Sequence, residues 1–393
     1  MKASLPLLPF ALFLIILPFP GTVAARLLLL LICFCIASWQ WWRHPGLRAT
    51  IPCKPALAAW IVVCTASMFY AFDPGYSLGE LKNELGYTMM AFFAFFAIAH
   101  DRANAVWLLR ASGLGLVIIG GWAIVALVTN GFAWNEGGGH GGIGIFATYV
   151  ITVVCGQFWL AGQDPSPAFR RLALALCVFA IALAALTMQR AVWPVIAFQS
   201  LLALFVASRA GLIALDRRML LLAIGCVAMV AIAGLLANQR VRYGDAPNEQ
   251  VQLGNDVRLK YWPEVVARIA EHPLTGTGFG RGVIRKAYPD LTPVEAPALW
   301  HAHNVFLNYG LQAGIPGVLA LAALFAGFGI LFWHASTGPQ AWAGIAGLLL
   351  VGGVVLRNQA NDFFVRDMSL MFWALTGLFA RLATSAWHGD RHG

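Results

Sequence analysis

The sequence predicts an all-α polytopic membrane protein. Hydrophobic residues make up 60% of its 393 positions and charged residues only 11%. Mean hydropathy is +0.74, and apolar runs long enough to span a bilayer recur from one end to the other. A soluble domain carries roughly 25% charged residues, so too little polar surface exists here to coat a water-facing globule. That excludes a soluble enzyme, a disordered chain, a coiled coil and a nucleic-acid module. The net charge of +9 reads as the excess of Lys and Arg in cytoplasmic loops. The 7 Cys, Cys33, Cys35, Cys53, Cys64, Cys155, Cys177 and Cys226, lie in or beside apolar runs without a CxxC pair. They read as reduced packing residues.

A spanning helix needs roughly 20 mostly apolar residues. Such stretches fall near 4–22, 26–42, 55–72, 83–100, 105–129, 142–162, 169–187, 190–208, 219–237, 315–334, 341–357 and 368–386, about twelve in all. Lys82 and Glu84 crowd the start of the fourth. Lys2, the apolar run after it and the small residues of 21–25 resemble a signal peptide. The expectation is a retained helix, and later orientations are unchanged either way. Arg43, Arg48 and Lys54 follow the second span, Arg102 the fourth, Arg170 and Arg171 the sixth, and Arg209, Arg217 and Arg218 the eighth. All fall on one side, so the positive-inside rule places both termini in the cytoplasm. Asp73, Glu80 and Glu136 fall on the outer side.

Residues 238–302 break the pattern as a long polar segment on the outer side. Long connections of this kind are often functional. Its start, 238–243, reads as a linker or strand. Within it, 256–271 has helical periodicity, with Val257, Tyr261, Val265 and Ile269 on one face. The repeat Gly276-x-Gly278-x-Gly280-x-Gly282 follows. Backbone N–H groups of such a run can cradle phosphate, but no Walker Lys-Ser/Thr follows, so a tight turn is the plainer reading. Arg281, Arg285 and Lys286 come next, to meet anionic substrate groups or solvent.

Two further groups carry chemistry. His303-Asn304 is followed by nine residues and then Gly314-x-x-Gly317. Histidine suits proton transfer near neutrality, and the glycines permit a bend or close helix approach; an interfacial His beside a packing motif is the alternative. His301, two positions away, would point elsewhere on a helix. Arg190 stands between two apolar spans at the outer interface, where a guanidinium suits a pyrophosphate bidentately or else snorkels. Arg258 and Lys260 lie on the loop helix, whose plain reading is a solvated face. The last outer loop, 357–367, carries Arg357, Asp362, Arg366 and Asp367. These form a site rim or ordinary salt bridges, and the two acids lack convincing metal-ligand spacing.

The HNx9GxxG arrangement resembles the signature of bacterial O-antigen ligases, within the wider group of O-antigen ligases and polymerases. Thr187-Met188-Gln189-Arg190-Ala191-Val192-Trp193 resembles that family's TxSRGxW segment, with Gln189 and Ala191 departing from it. Arg258, Trp262 and His272-Pro273-Leu274-Thr275-Gly276-Thr277-Gly278 resemble its periplasmic R…W…hPlxGxG segment. The resemblance implies a GT-C-like glycosyltransferase with a large, partly helical periplasmic loop. It divides the chain into spans one to nine (1–237), a periplasmic loop with the catalytic motif (238–314), and spans ten to twelve with a cytoplasmic tail (315–393).

On that resemblance the protein is a metal-independent, inverting glycosyltransferase of the bacterial inner membrane, acting in lipopolysaccharide biosynthesis. It transfers O-antigen from undecaprenyl pyrophosphate to a lipid A–core hydroxyl. His303 is the general base or positions the acceptor, and Arg190 and Arg258 hold the pyrophosphate. Asn304, Lys260, Arg281 and Arg285 bind substrate, while Gly314 and Gly317 are structural. No metal, cofactor, nucleotide sugar or nucleic acid is implied, and membrane lipids are partners. The alternatives are an O-antigen polymerase, a protein-glycosylating oligosaccharyltransferase, or a lipid-linked glycan flippase or transporter. A transporter favours ionisable residues near the membrane midplane and paired broken helices, which this sequence does not show.

Overall fold

In a computed structural model the chain is described over residues 5–129, 142–187, 189–214, 257–291 and 301–384, with isolated residues between 221 and 234. No strand occurs among the described residues. The helices are α1 (Leu8–Ile16), α2 (Val23–Arg43), α3 (Lys54–Ala66), α4 (Pro74–Glu80), α5 (Tyr87–Ile98), α6 (Arg102–Thr129), α7 (Ile143–Gln163), α8 (Pro167–Leu186) and α9 (Val192–Arg209). They continue with α10 (Val257–Glu271), α11 (Val283–Ala287), α12 (Val305–Ala335), α13 (Ala341–Arg357) and α14 (Arg366–Thr384).

Six of these, α2, α6, α7, α8, α9 and α12, are long and apolar enough to cross a membrane; α13, and α3 with its 3₁₀ extension to Tyr70, are shorter. Large side chains such as Leu31 on α2, Val125 on α6, Val178 on α8 and Leu319 on α12 face outward. A water-soluble monomer rarely exposes contiguous apolar surface on this scale. This is a multi-pass membrane protein.

Several expected boundaries move. The first apolar stretch gives only a nine-residue α1, which ends before a turn at Gly21 with φ +77°. The fourth begins earlier than its apolar run, because Asp73 accepts from the Tyr76 N–H at 2.9 Å and caps α4. A π-helical turn at Leu81–Gly86 then carries the chain into α5. The tenth begins earlier too: α12 runs from Val305 through the loop boundary expected at 314, where it kinks. Most of the ninth stretch and residues 238–256 lie outside the described residues.

The core is glycine and aromatic packing. Helix α14 lies so close to α5 that a Cβ on Gly377 would sit 2.3 Å from the Phe92 carbonyl oxygen. Trp60 stacks on Trp373 at 5.4 Å, and Phe92, Phe328 and Phe372 meet Trp373 edge-on. Gln199 of α9 donates to the Ile151 and Leu349 carbonyls, tying α9 to α7 and α13.

Polar contacts sort by end. At one end Arg26 pairs with Asp367, Lys286 with Asp73, and the Phe72 N–H with the Thr277 carbonyl. At the other, Arg381 reaches the Leu47 carbonyl, Arg102 that of Gln163, and Arg110 the Asp164 carboxylate.

Candidate active site

The site begins with a fault in α12. Pro316 has no N–H to offer the Gln312 carbonyl, and Ala313 and Gly314 leave helical geometry, Gly314 at φ +66° and ψ −163°. Segment 272–278 makes good the missing bonds. The Ile315 N–H donates to the Pro273 carbonyl at 2.7 Å, and the Leu311 and Gln312 carbonyls accept from the Thr277 and Gly278 N–H groups at 2.8 and 3.1 Å. Gly314 is obligatory twice over: its backbone lies in a region open essentially only to glycine, and a Cβ would fall 2.5 Å from the Pro273 oxygen. A Cβ on Gly317 would fall 2.8 Å from the Tyr309 oxygen. Two motifs that are separate in the sequence are therefore one structural unit.

The glycine repeat completes that unit and does not cradle an anion. The Gly276 N–H donates to the His272 carbonyl, the Gly280 N–H to Gln312 Oε1 at 2.9 Å, and the Gly282 N–H to the Tyr76 hydroxyl at 2.8 Å. Gly276, Gly278 and Gly280 all have positive φ, as a tight turn against α12 and α4 requires.

At the start of α12, Asn304 is the N-cap. Its Oδ1 accepts from the Phe306 and Leu307 N–H groups, and its Nδ2 donates to the Gln359 carbonyl at 3.0 Å. Asn304 thus caps a helix. The preceding residues are not helical, and His303 has φ +51°. The expectation that His301 points away from His303 therefore fails: the ring centroids lie 3.9 Å apart. The Ala302 N–H donates to Asn308 Oδ1 at 2.8 Å, and Trp262 Nε1 of α10 donates to the Ala302 carbonyl at 2.9 Å.

Loop 357–367 holds these pieces together. His303 Nδ1 lies 3.2 Å from Asn361 Oδ1. Arg258 donates to the Ala360 carbonyl and Arg281 to that of Asp362. Asp362 is buried and accepts from Asn308 Nδ2 at 2.5 Å; Asp367 pairs with Arg26. Both acids are thus committed to protein partners, so the loop is both site wall and salt-bridge anchor. Arg357, fully buried, donates to Thr148 Oγ1 and contacts Gln189 Oε1. Gln189, where the family pattern has Ser, links the turn before Arg190 to this loop.

These segments enclose a cleft of about 510 Å³, walled by Gln189, Arg281, His301, His303, Asn361, Arg366 and Asp367 together with the first turn of α7. Among the described residues the wall does not include Arg190, Arg258 or Arg285. Arg190 is half-buried one residue beyond Gln189, and Arg258 is anchored beside Asn361. The charges of Arg281 and Arg285 reach His301, and that of Arg258 reaches Arg357. Burial, then His303 and these arginines, push the His301 imidazolium down to about 2, so this ring is neutral. The Lys260 side chain lies outside the described residues.

Residues 175–322 match the family model described as O-antigen ligase. Over this segment, which is less than half of the chain, the protein is similar to O-antigen ligases. The match spans Arg190, Arg258, Lys260, Arg281, Arg285, His303, Asn304, Gly314 and Gly317, and it stops short of loop 357–367. The match supports a ligase- or polymerase-type role in O-antigen processing. A comparison with curated proteins returned no match. Outside the matched segment, Asn361 is a site residue to which no sequence motif points. Inside it, His301 and Asn308 are visible only once the 301–304 turn is known to be non-helical.

Proposed function

We propose that this protein is an O-antigen ligase of the bacterial inner membrane, joining polysaccharide from undecaprenyl pyrophosphate to a hydroxyl of lipid A–core at the periplasmic face. The observation that carries this reading is His303 held by Asn361 in a cleft that also presents Arg281. With its Nδ1 proton assigned to Asn361 Oδ1, the imidazole keeps its basic lone pair on Nε2. Nε2 takes the acceptor hydroxyl proton as the oxygen attacks the anomeric carbon. The bond from that carbon to the pyrophosphate breaks, and undecaprenyl pyrophosphate leaves. Attack opposite the leaving group inverts the anomeric centre. General-base assistance of this kind contributes about 10²–10⁴-fold.

Cations dominate the surroundings of the cleft. Arg281 and Arg366 form part of its wall, Arg190 follows the wall residue Gln189 in the chain, Arg258 is held on the Ala360 carbonyl beside Asn361, and the wall's acid, Asp367, is neutralised by Arg26. Preorganised cations stabilise the charge that develops on departing phosphate. In this reading the arginines do so without metal or nucleotide sugar. Both substrates are lipid-anchored, so their reactive groups share one plane, which raises their effective concentration. In this reading the end that carries the cleft faces the periplasm, and the twelve or so apolar stretches of the sequence leave both termini in the cytoplasm.

The test is transfer by purified protein, with chelator present, from undecaprenyl-pyrophosphate glycan to lipid A–core. Wild type is compared with His303→Ala. Loss of transfer in the variant alone, at matched folding, supports the reading. Equal transfer by both makes His303 scaffold. Elongation of the donor without transfer to lipid A–core makes the protein a polymerase.

A further inference from the structure

We propose that His301 is the positioning residue of His303, its Nδ1 holding the backbone turn that aims the base into the cleft. The inference rests on the reading of His303 as the base. His303 lies at φ +51°, a conformation that a non-glycine residue keeps only where its surroundings hold it. The structure shows what holds it. The His303 N–H donates to His301 Nδ1 at 3.1 Å. Ala302, the residue between the two histidines, is pinned from both sides, its N–H on Asn308 and its carbonyl on Trp262. The two imidazoles face each other with an interplanar angle of 35°.

The chemistry of His301 suits this task. Accepting at Nδ1 assigns its proton to Nε2. The ring is only 4% exposed, and its neutrality preserves the acceptor at every working pH. A neutral ring 3.9 Å from His303 also avoids the repulsion that a second imidazolium would exert when His303 takes up the acceptor proton. A leucine or an alanine here would leave the His303 N–H without this acceptor and the αL turn without its clamp.

Two variants separate the acceptor from the ring. His301→Asn can place an amide oxygen near the Nδ1 position, whereas His301→Phe keeps an aromatic face and removes the acceptor. Both are assayed by steady-state transfer beside wild type and His303→Ala, after each is shown to be monodisperse in detergent. His301→Phe is expected to lower kcat about tenfold or more, with KM for the lipid-linked donor changed less than about twofold. His301→Asn is expected to return kcat to within about threefold of wild type. If the Phe variant fails to fold, His301→Gln, whose amide reaches the Nε2 position instead, serves as the loss-of-acceptor protein.

Wild-type kcat in the loss-of-acceptor variant overturns the proposal. So does an Asn variant as impaired as that protein, and so does a defect confined to KM. The fate of the underlying reading is separate. A fully active His303→Ala removes the base itself, whereas an inactive His303→Ala beside a fully active His301→Phe removes only the positioning role.

Discussion

Around Trp373 the protein is held by rings and close-packed helices, whereas around His303 it is held by hydrogen bonds between segments far apart in the chain. Phe92, Phe328, Phe372 and Trp60 surround Trp373 through ring contacts. At the site, α10, the 272–282 segment, the start of α12 and loop 357–367 are each tied to at least one other by named donors and acceptors. Apolar packing is non-directional and tolerates a shift. A hydrogen bond between buried groups does not, since a lost partner leaves a desolvated polar atom. The two regions therefore respond differently to substitution.

The largest difference is expected at glycines. Gly314→Ala meets backbone at 2.5 Å and forces a φ of +66° on a side chain. The combined strain and clash amount to roughly 3 kcal/mol or more. Gly347→Ala in the bundle meets the buried Phe332 ring at 2.3 Å, a side-chain clash with no forced backbone conformation, at a cost of about 1–3 kcal/mol. Thermal unfolding in detergent, paired with transfer per folded molecule, separates them. Gly314→Ala should lose both stability and turnover, and Gly347→Ala only stability. Equal turnover in the two folded variants would break the distinction between the regions.

Next in size is Asn308→Ala. Asn308 joins the Ala302 N–H to Asp362, so its loss takes the acceptor from a backbone donor and a donor from one oxygen of a buried carboxylate, whose other oxygen keeps the Phe364 N–H. The expected cost is about 1–3 kcal/mol of stability, with turnover falling by more than the folded fraction does. The bundle counterpart, Gln199→Leu, also breaks buried hydrogen bonds but should leave turnover of the folded protein unchanged. A Gln199 variant with crippled turnover would show that the site draws its geometry from the bundle after all.

The same contrast decides what the sequence reveals. Membrane helices announce themselves through hydropathy, because each must satisfy its own backbone and bury or greet lipid with its own side chains. The HNx9GxxG glycines are legible too, although their reason is not: the partner of Gly314 is Pro273. His301 escapes notice because a helical reading of 301–304 sends it away from His303, while the actual turn brings it under the ring. Loop 357–367 reads only as a choice between rim and salt bridges, since its value lies in carbonyls, those of Asn358, Gln359, Ala360 and Asp362. Carbonyls carry no residue signature. The short α1 and the early start of α4 escape for a related reason, because a turn at Gly21 and a cap at Asp73 override the length of the apolar run.

The smallest effect expected is acid sensitivity. His301 is neutral in the fold, its pKa lowered from 6.5 to about 2 by burial first, while the unfolded chain titrates normally. Between those values the unfolded state binds the extra proton, so stability contributed by the neutral ring is complete above 6.5 and drains away as pH falls. Asp73, held below the usual carboxylate range by Lys286, also loses its contribution on acidification. That loss is common to wild type and His301→Asn and cancels between them. Thermal midpoints recorded from neutrality to about pH 5 should therefore converge, wild type falling faster than the variant. Parallel curves would mean that His301 takes up its proton within the fold, and the polar layer would then be open to water where the bundle is not.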